Sequence, residues 1–393
     1  MLFNFREFLS FSRRAFLPGR QTPCRMTPKR LAILTGFYLL FFATEAATRV
    51  ACHLDDLLCG DYQQQPVKEP VFIVGNPRSG TTFLQHVLAR DRRNFSSMKL
   101  WEILFAPSVL QRRLVALLDG LDRRLGSPIQ HLAQKLDATL DEENELHTTG
   151  LLKPEEDQYL LVHAWSTLAV WQFAAILGEE AINYTHFDRA IPQPEKERIL
   201  AFYRQMIQRH LYAHQDDAGS APHYLSKNPS ATPKIDSLLS CFPDAHIVYL
   251  VRNPLDMVPS MISILDFTWS LLGDPPEPYA CREYVLEMSK HWYRYPLERL
   301  AREPEARYAI VRFDDMVWDP NETVRRLYNR FGFTVDPTYA QILEEETRRS
   351  RNHVSHHTYS LAEMGLTRQR IVTEYRDIFD RFDFDTREQV GPS

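Results

Sequence analysis

The stretch Val71 to Thr82, VFIVGNPRSGTT, decides the fold of this 393-residue chain. Val71, Phe72, Ile73 and Val74 make a short apolar run, the pattern of a strand buried on both faces of a parallel sheet. Gly75 ends the run. Gly80, Thr81 and Thr82 then open a helix whose first N–H groups lack intrahelical partners and attract an anion. The frame G-x-x-x-x-G is that of a nucleotide-binding loop, but Thr81 stands where an ATPase carries the lysine for the β- and γ-phosphates. A cation is supplied instead by Arg78, and hydroxyls by Ser79, Thr81 and Thr82.

A second apolar run, His246 to Val251, ends at Arg252-Asn253-Pro254, where proline turns the chain into a helix carrying Ser260. Ligands of open α/β sheets bind beyond the carboxyl ends of the strands, so Arg252 emerges on the same rim as the first loop. Two anion sites on one rim suit a ligand with phosphate at both ends. Further strands are expected at Tyr224-Leu225, before Lys227, and at Tyr308 to Val311. Helical periodicity marks Thr81 to Arg90, Ile103 to Leu125, Glu155 to Leu177 and Glu195 to His214, and Asp319-Pro320 starts a helix closed by Gly332. The fold expected is α/β: a P-loop-like parallel sheet covered by helices on both faces, with a large helical insertion after the first strand and loop.

The chain is 44% hydrophobic and 25% charged, a globular composition, and its net charge of −5 hides an asymmetry. Residues 1 to 30 carry seven basic residues against Glu7, leaving −11 for the remainder. An acidic body without basic stripes is a poor match for nucleic acid, which is not expected as a partner. The basic arm runs into Leu31 to Ala47, 17 residues marred by Glu45, at the lower limit of a bilayer span of roughly 17 to 25 residues. A signal anchor, a helix lying on lipid head groups and a buried core helix compete for it, with membrane association favoured over the core. The polar stretch Gln63 to Pro70 divides a membrane-associating arm, residues 1–65, from a catalytic domain, residues 66–393. Peripheral attachment through residues 1–50 with a cytoplasmic catalytic domain is the expectation; a Golgi-lumenal domain would follow if the chain were eukaryotic and the helix spanned. Five scattered cysteines form no zinc motif, although Cys52 and Cys59 could pair in an oxidising lumen. Oligomeric state carries no signal in the sequence.

The loop PRSGTT, Trp101-Glu102, Pro154 to Asp157 (PEED), Lys227-Asn228-Pro229, FPDAHIVYLVRNP with Ser260, RFDDMVWDP and His357 to Leu361 together resemble the sulfotransferase family with a P-R-S-G-T-T phosphosulfate loop, as in many bacterial members. The resemblance covers roughly residues 66 to 385. It implies a donor, 3'-phosphoadenosine 5'-phosphosulfate, whose 5'-end is held by Arg78, Ser79, Gly80, Thr81 and Thr82 and whose 3'-phosphate is held by Arg252 and Ser260, an R-x7-S pair. It implies Lys227 beside the transferring sulfuryl group and Glu102 as the carboxylate base. His147 is the second candidate for the base, and Glu155, Glu156 and Asp157 otherwise cap a helix start. His357 with Tyr359 is expected to close over the donor. Sulfuryl transfer needs no metal, and His353, His356 and His357 are taken as loop histidines. The chain departs from cytosolic steroid and phenol sulfotransferases, which carry lysine at the Arg78 position, a histidine base and an R-K-G-x-x-G closure. Small-molecule, lipid and carbohydrate acceptors, hydroxyl or amine, stay open. The rivals are a P-loop kinase or NTPase and a catalytically silent, membrane-tethered nucleotide-binding protein.

Overall fold

The computed structural model describes residues 2–386, apart from 18, 20–23, 128–129, 132–134, 136–149, 217–218, 220, 274, 276 and 352–359. Five parallel strands, β1 (Val71–Gly75), β2 (Phe95–Ser96), β3 (His223–Lys227), β4 (His246–Val251) and β5 (Tyr308–Arg312), form one sheet in the order β2-β3-β1-β4-β5. Side chains alternate across it with a period of two. Phe72, Val74, Ile247, Tyr249 and Val251 enter one core, whereas Val71, Ile73, Val248 and Leu250 enter another. Both sets are apolar because both faces are covered, which is why these strands show as unbroken hydrophobic runs.

The helices in chain order are α1 (Phe5–Phe16), α2 (Pro28–Leu58), α3 (Thr81–Leu88), α4 (Leu100–Leu104), α5 (Val109–Arg124), α6 (Leu168–Phe173), α7 (Glu179–Thr185), α8 (Phe187–Ala190) and α9 (Gln193–Ala213). After β3 come α10 (Ile235–Cys241), α11 (Pro254–Leu272), α12 (Arg282–Leu300), α13 (Phe313–Trp318), α14 (Pro320–Phe331), α15 (Pro337–Arg351), α16 (Arg368–Glu374) and α17 (Arg376–Phe382). Two expected helices differ. The stretch Ile103 to Leu125 is broken, because Pro107 interrupts it and Ser108 caps a fresh start by accepting the Gln111 N–H at 3.0 Å. Glu155 to Leu177 is a 3₁₀ turn, Asp157–Val162, followed by α6; Trp165 between them has a φ of 51°, and Thr167 caps α6.

The arm at residues 1–65 is folded into the body of the domain. Phe11, Ala15, Leu34, Phe41 and Cys52 share the core that covers one sheet face, and Trp165 meets the rings of Phe8 and Phe41 at 4.9 Å each. The boundary expected at Gln63 to Pro70 therefore does not separate two cores. Glu7 on α1 accepts a hydrogen bond from Tyr184 at 2.9 Å. Burial pushes its carboxyl up to about 8, with Glu195 and Glu180 adding to the rise and Tyr184 opposing it. Cys52 and Cys59 are both buried, free thiols.

Candidate active site

The chain runs from β1 to one side of the sheet and from β4 to the other, so the loops after these neighbouring strands meet at the switch in strand order. Their side chains converge. Arg78 Nε donates to Ser260 Oγ at 3.0 Å, and Arg252 Nη1 donates to the Arg78 carbonyl at 2.9 Å. Tyr293 fixes the second loop by donating to the Arg252 carbonyl at 2.6 Å, and the Arg252 guanidinium lies 4.3 Å from the Phe313 ring centre. Thr232 binds both the N–H and the carbonyl of Gly75 at 2.9 Å, tying the start of the first loop to the turn after β3.

The loop is tightly enclosed at Gly80. Gly80 has a φ of 85°, and a Cβ there would stand 2.6 Å from Met316 and 2.7 Å from Phe313. Arg78, with a φ of 69°, holds a left-handed conformation that costs a non-glycine residue about 1 to 3 kcal/mol. The Ser79 hydroxyl and Arg252 Nε are buried and have no hydrogen-bond partner among the described residues. Orphaned donors beside an unpaired helix start fit a polyanionic ligand, since each then gains the partner that burial denies it.

Lys227 ends β3 opposite Ile73 and is fully buried. Its ammonium lies 3.0 Å from Glu155 and 3.1 Å from Glu156. Burial works against the charge, but Glu156 and Glu155 outweigh it and lift the Lys227 pKa above its usual value. These carboxylates arrive by a non-local route: the segment after Gly150 bridges Lys99 through Pro154, and the Glu155 N–H donates to the Met98 carbonyl at 3.1 Å. His86, one turn after Thr82 on α3, faces the same group. Its pKa is lowered by burial and by Lys227, against a hydrogen bond to the Pro154 backbone.

Glu102 occupies different surroundings. It accepts the Lys99 N–H at 2.7 Å and lies 3.2 Å from His214 Nε2 and 3.8 Å from Arg112 Nη1. Burial works to raise its carboxyl, but Arg112, His214 and His210 prevail and hold it well below the usual carboxylate range. Glu102, His210 and His214 bring ligand atoms within 4.8 Å of one another. Both His210 nitrogens are already engaged, Nδ1 by Arg112 at 2.6 Å and Nε2 by Ser96 at 2.8 Å, so an arginine stands where a metal would sit. His147, His353, His356, His357 and Tyr359 lie outside the described residues. His86, Arg112, His210 and His214 were not singled out from the sequence. The one local signal was the i, i+4 spacing of His86 from Thr82 and of His214 from His210.

Residues 70–337 match the model of the sulfotransferase family. The chain belongs to that family. As a sulfotransferase it is 24% identical over 323 residues to the omega-hydroxy-beta-dihydromenaquinone-9 sulfotransferase Stf3 of Mycobacterium bovis and to that of Mycobacterium tuberculosis, covering 80% of this chain and 75% of each relative. In structure it is similar to sulfotransferase STF9 from Mycobacterium avium, with a TM-score of 0.71, 18% identity and 98% of both chains covered. Sulfotransferase STF1 from Mycobacterium tuberculosis matches with a TM-score of 0.67 at 19% identity, over 95% of this chain and 92% of that one. At this identity the two structures show a common fold, and such coverage draws the N-terminal helices into it.

Proposed function

We propose that this sulfotransferase moves a sulfuryl group from 3'-phosphoadenosine 5'-phosphosulfate to the hydroxyl of an apolar, lipid-like alcohol. The observation that carries the donor is the convergence of Arg78, Ser260 and Arg252, with the Arg78–Ser260 contact at 3.0 Å and the Arg252–Arg78 contact at 2.9 Å. In this assignment Arg78 and the N–H groups of Ser79 to Thr82 bind the 5'-end and neutralise the phosphate as it leaves, when such donors act most strongly. Arg252 and Ser260 bind the 3'-phosphate. The acceptor oxygen attacks sulfur in line as the bond from sulfur to the 5'-phosphate oxygen breaks, and Lys227 compensates the charge of the moving group. The acceptor proton passes to a carboxylate. Glu102, tied to Arg112 and His214 and held far below the usual range, is a weak base. Glu156, which keeps 14% of its side chain exposed beside the buried Lys227, is assigned the role in its place, with Glu155 fixing the ammonium.

The acceptor class rests on the named substrate of the Stf3 relatives, a hydroxylated menaquinone derivative. Two helices, Pro28–Leu58 and Pro254–Leu272, are long and apolar enough to cross a membrane, and 22% and 50% of their apolar windows are buried. Peripheral attachment through residues 1–50, with the catalytic domain in the cytoplasm, goes with that acceptor. Incubating the protein with donor carrying labelled sulfate and a panel of hydroxylated polyprenyl compounds tests the proposal. Label should move to the alcohol without added magnesium. No transfer to any alcohol, together with magnesium-dependent ATP hydrolysis, would overturn it in favour of a nucleotide hydrolase.

A further inference from the structure

We infer that the outward face of α2 and the whole exposed face of α5 form one bilayer-docking surface, on which α2 lies in the plane of the interface instead of crossing it. The inference deepens the membrane attachment proposed above and adds to it residues 109–125, outside the N-terminal arm.

The inner side of α2 cannot leave the protein. Arg30, Leu34, Phe41, Glu45, Thr48, Cys52 and Asp55 form a buried stripe at spacings of three, four and seven. Glu45 lies 2.7 Å from both His163 and Arg49. Asp55, fully buried, accepts the N–H groups of Val109 at 2.8 Å and Leu110 at 2.9 Å, and Arg209 Nε lies 3.1 Å away. A helix with these ties cannot separate from the domain to span a bilayer, and the same carboxylate caps α5 and pins it beside α2.

The outer side is of opposite character. From Leu31 to Val50 no exposed position of α2 bears a charge. On α5 the exposed side chains include Leu117 (68%) and Leu121 (52%). Of the 25 large apolar side chains that are exposed among the described residues, 18 lie on residues 5–58 and 114–125, far more than a soluble surface concentrates in one place. The surface continues at Phe267 and Leu271 of α11, where Lys29 Nζ donates to the Ser270 carbonyl at 2.9 Å.

Charge selects the occupant. The exposed charged residues of α1, α2 and α5 are Arg6, Arg13, Lys29, Arg113, Arg123 and Arg124 against Asp56, with Arg123 paired to the half-buried Asp119, an excess of positive charge in a chain whose net charge is −5. A second copy would set these cations against one another. An anionic lipid surface attracts this excess of positive charge while the acyl region takes the leucines, the arrangement of interfacial amphipathic helices. Phe105, four residues before α5, and Leu152 are exposed as well, Leu152 standing three residues from Glu155, about 10 Å of chain at most. An acceptor drawn from the bilayer therefore has a short way to travel.

The test is flotation of the full-length protein with vesicles of phosphatidylcholine and phosphatidylglycerol, beside calorimetry with 3',5'-diphosphoadenosine. Wild type should float and be partly released by salt. Leu117→Glu/Leu121→Glu and Leu39→Glu/Leu40→Glu should each lower vesicle partition about tenfold or more with unchanged nucleotide affinity, and the milder Leu117→Ser/Leu121→Ser should show a smaller loss. Flotation of both α5 variants at the wild-type level would overturn the composite surface. Wild type that ignores vesicles and sediments as a dimer would give the face to a second copy and overturn the inference, leaving the enzymatic proposal intact. Wild type that floats but binds no nucleotide would sink the enzymatic proposal and support the docking surface.

Discussion

Lys227 is an ammonium without access to water, and the two carboxylates at 3.0 and 3.1 Å govern what it can do. Two acids against one buried base leave a surplus negative charge, which suits proton acceptance by the partly exposed partner. Glu156→Gln should lower turnover about a hundredfold or more while leaving donor affinity unchanged, as measured by single-turnover transfer beside calorimetry. Wild-type turnover in that variant would remove Glu156 from the reaction. Glu102→Gln should behave in the opposite way. It leaves Arg112, whose side chain is 5% exposed, without its carboxylate, so urea denaturation should show a loss of about 3 to 5 kcal/mol while folded molecules keep their turnover. A collapse in turnover at unchanged stability would return the base to Glu102.

At the scale of elements, the first loop works because α3 and α13 close on a residue without a side chain. Gly80→Ala combines a φ of 85° with a Cβ 2.6 Å from Met316, so it should cost about 1 to 3 kcal/mol in thermal stability and weaken donor binding. Unchanged melting and affinity would mean that the loop adapts. The docking of α1 should depend on pH through Glu7, which burial raises from 4.5 to about 8. The folded form keeps this proton where the unfolded form loses it, so its contribution to stability is full below the unfolded value and is lost as pH rises from about 4.5 through 8. Melting temperatures across that window should fall less in Glu7→Gln than in wild type. The strands were legible in the sequence because burial on both faces makes β1 and β4 unbroken apolar runs. The meeting of Arg78 with Arg252 was legible because both follow parallel strand ends. The break at Pro107-Ser108 was written locally yet masked by continuing periodicity. The partners of Lys227 were not legible as partners, since Glu155 reaches it only through the bridge of Lys99 to Pro154, far from β3 in sequence.

For the whole molecule, the N-terminal helices are part of the enzyme's core and its outer surface at once. Removing residues 1–58 would strip Asp55 from Arg209, uncover Trp165 and leave His163 without Glu45, so the truncated chain should be insoluble. A soluble, monomeric truncation with wild-type nucleotide affinity would show that the arm is an appendage after all. The sequence presented these helices as detachable because their charges and apolar residues are read along the chain, whereas burial sorts them by face. The central claim, a donor held at both ends by the loops after β1 and β4, is tested most directly by calorimetric titration of 3',5'-diphosphoadenosine into wild type, Arg78→Ala and Arg252→Ala. Each variant loses a charge-assisted contact of roughly 1.5 to 3 kcal/mol, so affinity should drop about ten- to a hundredfold in both. Equal affinity in all three proteins, or no binding by wild type, would contradict it.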